Sequence, residues 1–185
     1  GGGDGYLYTF GEKTTKSESW FANPDNFSLP QTEIVKTVYK RNIPGGTMDV
    51  EANISLEIQN LEFCDYIAAR TPIKADSGTN FAVITFFIKN NGESLFQMLP
   101  NYLFLSTEDG KQIKFPYPNR KFYGLNYLDG FPLLSDDGAN LLPNLSMKMK
   151  MIFIISEEDA TKKLNLIMTG IFSASDKILL NMRIN

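Results

Sequence analysis

The stretch most able to do chemistry is residues 115–132, which reads Phe-Pro-Tyr-Pro-Asn-Arg-Lys-Phe-Tyr-Gly-Leu-Asn-Tyr-Leu-Asp-Gly-Phe-Pro. Tyr117, Arg120, Tyr123, Tyr127 and Phe131 lie on a proline-constrained segment, with Trp20 as a further ring outside it. Rigid aromatics present a large contact area at low entropic cost, and their faces suit sugar rings as well as protein surfaces. A competing reading is that these rings fold back as a lid over one open end of the domain. A loop of this length without internal packing is unusual, so some of its rings must be buried in either case.

Other constellations are weaker. Asp136 and Asp137, in the run Ser135-Asp136-Asp137-Gly138-Ala139-Asn140, are hard oxygen ligands of the kind calcium takes. Their spacing does not match a twelve-residue EF-hand loop, and a solvated turn is the simpler expectation. Glu62, Asp65, Asp129, Asp136 and Asp137 could in principle supply paired carboxylates for glycoside hydrolysis. Nothing in the sequence brings any two of them together. Histidine is absent, which removes Ser-His-Asp and Cys-His arrangements, the common zinc sites and the usual near-neutral general base. The single cysteine, Cys64, cannot form an internal disulfide and sits in an apolar-rich stretch, as a buried thiol would. No glycine spacing of the phosphate-cradling type occurs. Neither a catalytic residue nor a cofactor is assigned.

Charge limits the partners. Eighteen Lys and Arg against 21 Asp and Glu leave a formal charge of −3, where a nucleic-acid surface normally needs a basic excess. No apolar run approaches the ~18 residues that span a bilayer as a helix. The chain opens Gly1-Gly2-Gly3. A cloning remnant and the removal of an export leader explain this equally well; the second carries the expectation of a lipid-anchoring Cys upstream of Gly1.

The elements that would position these residues are strands. Ile54, Leu56 and Ile58 alternate with Ser55, Glu57 and Gln59, a half-buried strand. The apolar phase then flips to Leu61 and Phe63, which predicts a bulge near Gln59-Asn60. Residues 81–88 are apolar on both phases, as in a central strand covered on both sides, and end in the turn signal Lys89-Asn90-Asn91-Gly92. Residues 102–106 and 112–115 flank Asp109-Gly110, a hairpin signal. Met147, Met149 and Met151 alternate with Lys148 and Lys150, which predicts a core face and a wet face. Further strands are expected at 33–40, 164–168 and 178–184. Helix signals are confined to one short turn near 157–163, capped at Ser156 with an acidic first turn.

From residue 53 to residue 168 the order of turns resembles a known family. A strand ends in Phe63-Cys64-Asp65, a Gly78-centred loop follows, and the run from Phe81 closes at Asn90-Asn91-Gly92. Then come Asp109-Gly110-Lys111, Leu141-Leu142-Pro143-Asn144, a strand at 147–155, Ser156-Glu157-Glu158 and Leu164-Asn165-Leu166. This pattern is similar to secreted or lipid-anchored bacterial domains with an immunoglobulin-like sandwich, a family that includes the mycobacterial immunoprotective extracellular antigen. Three departures stand out. Pro143-Asn144 replaces a Pro-Gly step, residues 116–140 run long, and the first fifty residues have no counterpart.

The resemblance implies an extracytoplasmic, non-enzymatic domain and carries over no catalytic residue. The expected architecture is therefore an all-β, antiparallel, immunoglobulin-like β-sandwich over residues 32–185, preceded by an arm or ordered loop over 1–31 that could add a strand. The expected role is a module that engages a protein or another component of the cell envelope. The alternative is a carbohydrate-binding module using the aromatic loop.

Overall fold

A computed structural model of the chain describes residue 21 and residues 26–117, 120–169 and 178–185. Trp20 and most of the 1–31 arm lie outside the described residues. The strands are β1 (Gln31–Ile43), β2 (Gly46–Cys64), β3 (Tyr66–Ile67), β4 (Ile73–Lys74), β5 (Thr79–Asn90), β6 (Phe96–Met98) and β7 (Leu103–Thr107). They continue with β8 (Gln112–Lys114), β9 (Tyr127–Leu128), β10 (Phe131–Pro132), β11 (Ala139–Leu141), β12 (Ser146–Ser156), β13 (Leu164–Thr169) and β14 (Ile178–Arg183). Two four-stranded antiparallel sheets, ordered β1-β2-β5-β12 and β14-β13-β7-β8, stack on one shared core. Three short ladders, β3-β4, β6-β11 and β9-β10, attach to this frame. The chain is an all-β, antiparallel, immunoglobulin-like sandwich.

Strand β2 shows how alternation builds the core. Val50, Ala52, Ile54, Leu56 and Ile58 face inward and are buried. Opposite β5 the register then shifts: Ile58 pairs with Phe86, but Asn60 pairs with Thr85. Gln59 is the extra residue. This is the predicted bulge, and its effect is to return Leu61 and Phe63 to the core side. Strand β12 contributes Met149, Met151, Phe153 and Ile155 to the same core, and β14 contributes Leu180 and Met182.

Two turns lock together at one end of the long sheet. The Asn90 amide is buried and donates to Ser94 O (2.8 Å) and Leu141 O (2.9 Å), while its Oδ1 accepts from Gly92 N (2.9 Å). Its main chain pairs with the Leu142–Leu145 turn, where Asn144 adopts φ 67. Asparagine tolerates that left-handed conformation at small cost, so the turn survives without glycine.

The expected helical turn is a single 3-10 turn, Asp159–Thr161. Ser156 Oγ accepts from Asp159 N (3.0 Å), as a cap would. Asp159 does more than cap. Its carboxylate is buried, 2.6 Å from Lys111 Nζ and 2.9 Å from Lys162 Nζ, and Lys162 also reaches Asp109 Oδ2 at 3.0 Å. The turn after β12 is thereby tied to the β7–β8 hairpin. Burial pushes the Asp159 carboxyl up, but Lys111, Lys162 and Ser156 outweigh it and hold the group below its ordinary value.

A lowered folded-state value means that this carboxylate stabilises the fold above the ordinary aspartate value of about 4. The contribution is lost as the pH falls from there through the folded value. Urea denaturation followed from pH 6 down to about pH 2 is therefore expected to show a stability loss that Asp159→Asn largely removes. At neutral pH that variant is expected to cost about 1–3 kcal/mol. A variant whose pH profile parallels the parent's would contradict this.

Candidate functional site

The site grows out of a problem in the long sheet. On β5 and β12 the residues pointing away from the main core include Phe81, Val83 and Ile152, all buried, and Ile154, partly buried. A sheet face this apolar has to be covered. Two segments cover it. The β3–β4 hairpin supplies Ile67 and Ile73, and the segment after β8 supplies Phe122, Leu125, Leu128 and Leu133. The covering segment begins at Phe115, which is buried edge-on against Phe153 (centroids 6.0 Å apart). Phe122 then sits edge-on to Phe81 at 5.1 Å.

Backbone bonds fix the cover. A 3-10 turn, Arg120–Phe122, is followed by Leu125 N donating to Phe122 O (2.9 Å). Strands β9 and β10 form a hairpin whose two turn residues, Asp129 (φ 51) and Gly130 (φ 81), both take positive φ. Asp-Gly suits that geometry, whose twist matches the flanking strands. Leu133 N donates to Asn126 O (2.9 Å) and Leu134 N to Lys150 O (2.8 Å), joining the cover to the edge of β12.

The lid expectation is therefore half right. The segment does fold back, but over the outer face of the long sheet and not over an open end. It also corrects the expected wet lysine face: Lys150 is buried, with Nζ 3.0 Å from Asp129 Oδ2, and Lys148 is half-buried. Phe131 packs against both, its ring 4.6 Å from Lys148 Nζ and 5.8 Å from Lys150 Nζ. The strand alternates as predicted; the loop dries its outer side.

The candidate rings divide into two groups. Phe131 is partly buried beneath the lysines, whereas Tyr117 (64%), Tyr123 (82%) and Tyr127 (64%) are exposed. Arg120 is exposed in the same turn that leads into Tyr123. Tyr123, Gly124 and Leu125 form a wall common to two clefts. One, of about 380 Å³, has an apolar floor including Phe122 and Ile152, and Asp136 and Asp137 on its rim. The other, of about 500 Å³, is lined by Arg70, Lys74 and Lys121.

Asp136 and Asp137 occupy the turn closed by Gly138 N donating to Ser135 O (2.8 Å). Gly138 (φ 74) is required there, since a Cβ would lie 2.6 Å from Met98 O. Among the described residues, no group of three His, Cys, Asp or Glu side chains could hold a metal ion. Of the other carboxylates, Asp129 is paired with Lys150, and neither Glu62 nor Asp65 lines either cleft. Cys64 packs partly buried beside the outer cluster; burial is the main influence pushing its thiol above the ordinary value. The residues that sequence reasoning passed over are Arg70 and Lys74, beside and on a two-residue strand. Strands of two residues have no periodicity to reveal them, and their cleft exists only because the two covering segments meet.

No family model matches the sequence, and no curated protein matches it. Several solved structures do. A Bacillus subtilis protein described as a candidate lipoprotein, ycdA, aligns at 12% identity and a TM-score of 0.48, over 71% of this chain and 36% of its own. This chain thus matches little more than a third of that protein's length. An uncharacterized beta-sandwich protein from Clostridium difficile aligns at 19% identity and 0.41, over 63% of this chain and 79% of its own. The yjhA protein from Bacillus subtilis aligns at 14% and 0.43, over 76% and 97% respectively.

The geometry separates anchors from displayed rings. Phe122→Ala is expected to cost about 3–5 kcal/mol, as truncation of a buried aromatic does. Tyr123→Ala and Tyr127→Ala are each expected to stay within about 0.5 kcal/mol of the parent. Chemical denaturation of the three variants checks this; a tyrosine variant as costly as Phe122→Ala would show those rings to be packing elements.

Proposed function

We propose that the protein is a non-enzymatic binding module that works outside the cytoplasm. It engages a protein or another envelope component through the covered outer face of its long sheet. One observation carries this reading: Tyr117, Tyr123 and Tyr127 stand exposed on a segment whose neighbours Phe122, Leu128 and Leu133 are buried. A surface that keeps rings in water on an anchored support has little conformational entropy left to lose when it binds. The placement outside the cytoplasm rests on the resemblance carried by residues 53–168 and is part of the same proposal.

A second reading, carbohydrate binding, is favoured by Tyr123 forming the shared wall of two clefts, of about 380 and 500 Å³. Clefts of that size accommodate small ligands.

Co-sedimentation with bacterial envelope preparations, untreated and protease-treated, alongside a glycan array, tests both readings. A protein partner gives retention that protease treatment abolishes. A glycan partner gives protease-resistant retention and an array signal. In either case the double variant Tyr123→Ala/Tyr127→Ala is expected to bind about tenfold more weakly, the loss typical of a pair of aromatic contacts. Retention unchanged in that variant, or absent from every arm, contradicts the assignment.

A further inference from the structure

The formal charge of the chain is −3, yet the larger cleft is lined by three cations, Arg70, Lys74 and Lys121, and by no carboxylate. They come from two separate segments that meet over the outer face: Lys74 from β4, Arg70 from the loop before it, and Lys121 from the 3-10 turn. The junction is held by Lys121 Nζ, which donates to Lys74 O (3.0 Å) and to Asp76 Oδ1 (3.2 Å). Asp76 thus neutralises one of the three. Among the described residues, Arg70 and Lys74 have no ion-pair partner. These two cations carry uncompensated charge, and an anion in the cleft would be attracted to both.

Another part of the lining is chemically different. Tyr123 stands on the rim, set there by a turn in which Gly124 takes φ 83. A ring face accepts the C–H side of a sugar or polyol, while a guanidinium presents a planar fork that matches a carboxylate or phosphate. A cleft of about 500 Å³ is large enough for one substituted sugar ring with its charged group.

We infer that this cleft binds a sugar or polyol carrying a phosphate or carboxylate, with Arg70 and Lys74 on the anionic group and Tyr123 against the carbon skeleton. The inference rests on the binding-module reading and names the ligand class for it.

The test uses the full chain, titrated with glycerol 3-phosphate, galacturonate, neutral galactose and inorganic phosphate while backbone amide shifts are recorded. Saturable shifts centred on residues 69–74 and 121–125 are expected with the first two probes. The tighter of the two identifies whether phosphate or carboxylate is the native group. Arg70→Gln is exposed and without an ion pair, so its fold is expected to be intact; it should weaken both by about fivefold or more, and Lys74→Gln should act in the same direction. Raising salt should weaken both as well.

Galactose binding as tightly as the anionic probes overturns the inference, as does an unaffected Arg70→Gln variant or the absence of saturable shifts. Inorganic phosphate binding as tightly as glycerol 3-phosphate also overturns it, because the tyrosine wall would then contribute nothing. If these titrations fail while envelope retention still depends on Tyr123 and Tyr127, the ligand class falls and the binding face stands.

Discussion

The outer architecture depends on one constraint: two adjacent strands of the long sheet, β5 and the edge strand β12, are apolar on both sides. The inner side of β5 and β12 makes the sandwich. The outer side, with Phe81 and Ile152, could not remain in water, so two otherwise irregular segments are recruited to it. Each fully buried aromatic or large aliphatic residue in this cover contributes roughly 1.5–3 kcal/mol. The Lys150–Asp129 contact cannot compete with that. Its aspartate is 69% exposed, and such pairs contribute about 0–1 kcal/mol. The lysine stems and the Phe131 ring extend the apolar cover to its rim, and the ion pair orients the hairpin tip.

This division of labour explains how a long connection can hold aromatic residues in water on an anchored support. Phe122 is a fixed point and Tyr123, the next residue, is in water. Adjacent positions with opposite fates are what a 3-10 turn laid on a flat surface produces. The clefts on either side of Tyr123 follow from the same meeting of segments: neither belongs to one strand pair, and each would vanish if the cover lifted.

Much of the frame was legible in the chain. The phase flip at Ile58 and Leu61 located the bulge, because alternation leaves no other way to keep both runs inside. The Asn90-Asn91-Gly92 turn and the Asp109-Gly110 hairpin followed from turn chemistry, and Asn144 at φ 67 from the tolerance of asparagine. The strand expected at 33–40 is present as β1, which pairs with β2 along its full length. What could not be read was coverage. Lys150 alternates as an exposed residue and is buried, because exposure depends on a loop crossing it and not on its own strand. The basic cleft was hidden for a related reason: Arg70 and Lys121 are 51 residues apart and come to one cleft only through the sheet face both segments cover.

Native-state hydrogen exchange at three amides tests this dependence most directly. Leu125, Leu133 and Leu134 donate within the cover or from it to β12. If the apolar face holds the segment down, their exchange requires openings of roughly 3 kcal/mol or more. Phe122→Ala should release them while the amides in the middle of β5 stay protected. Exchange of these three amides at the rate of an unstructured peptide in the parent protein would show that the cover is not held, and the displayed tyrosines would lose their support.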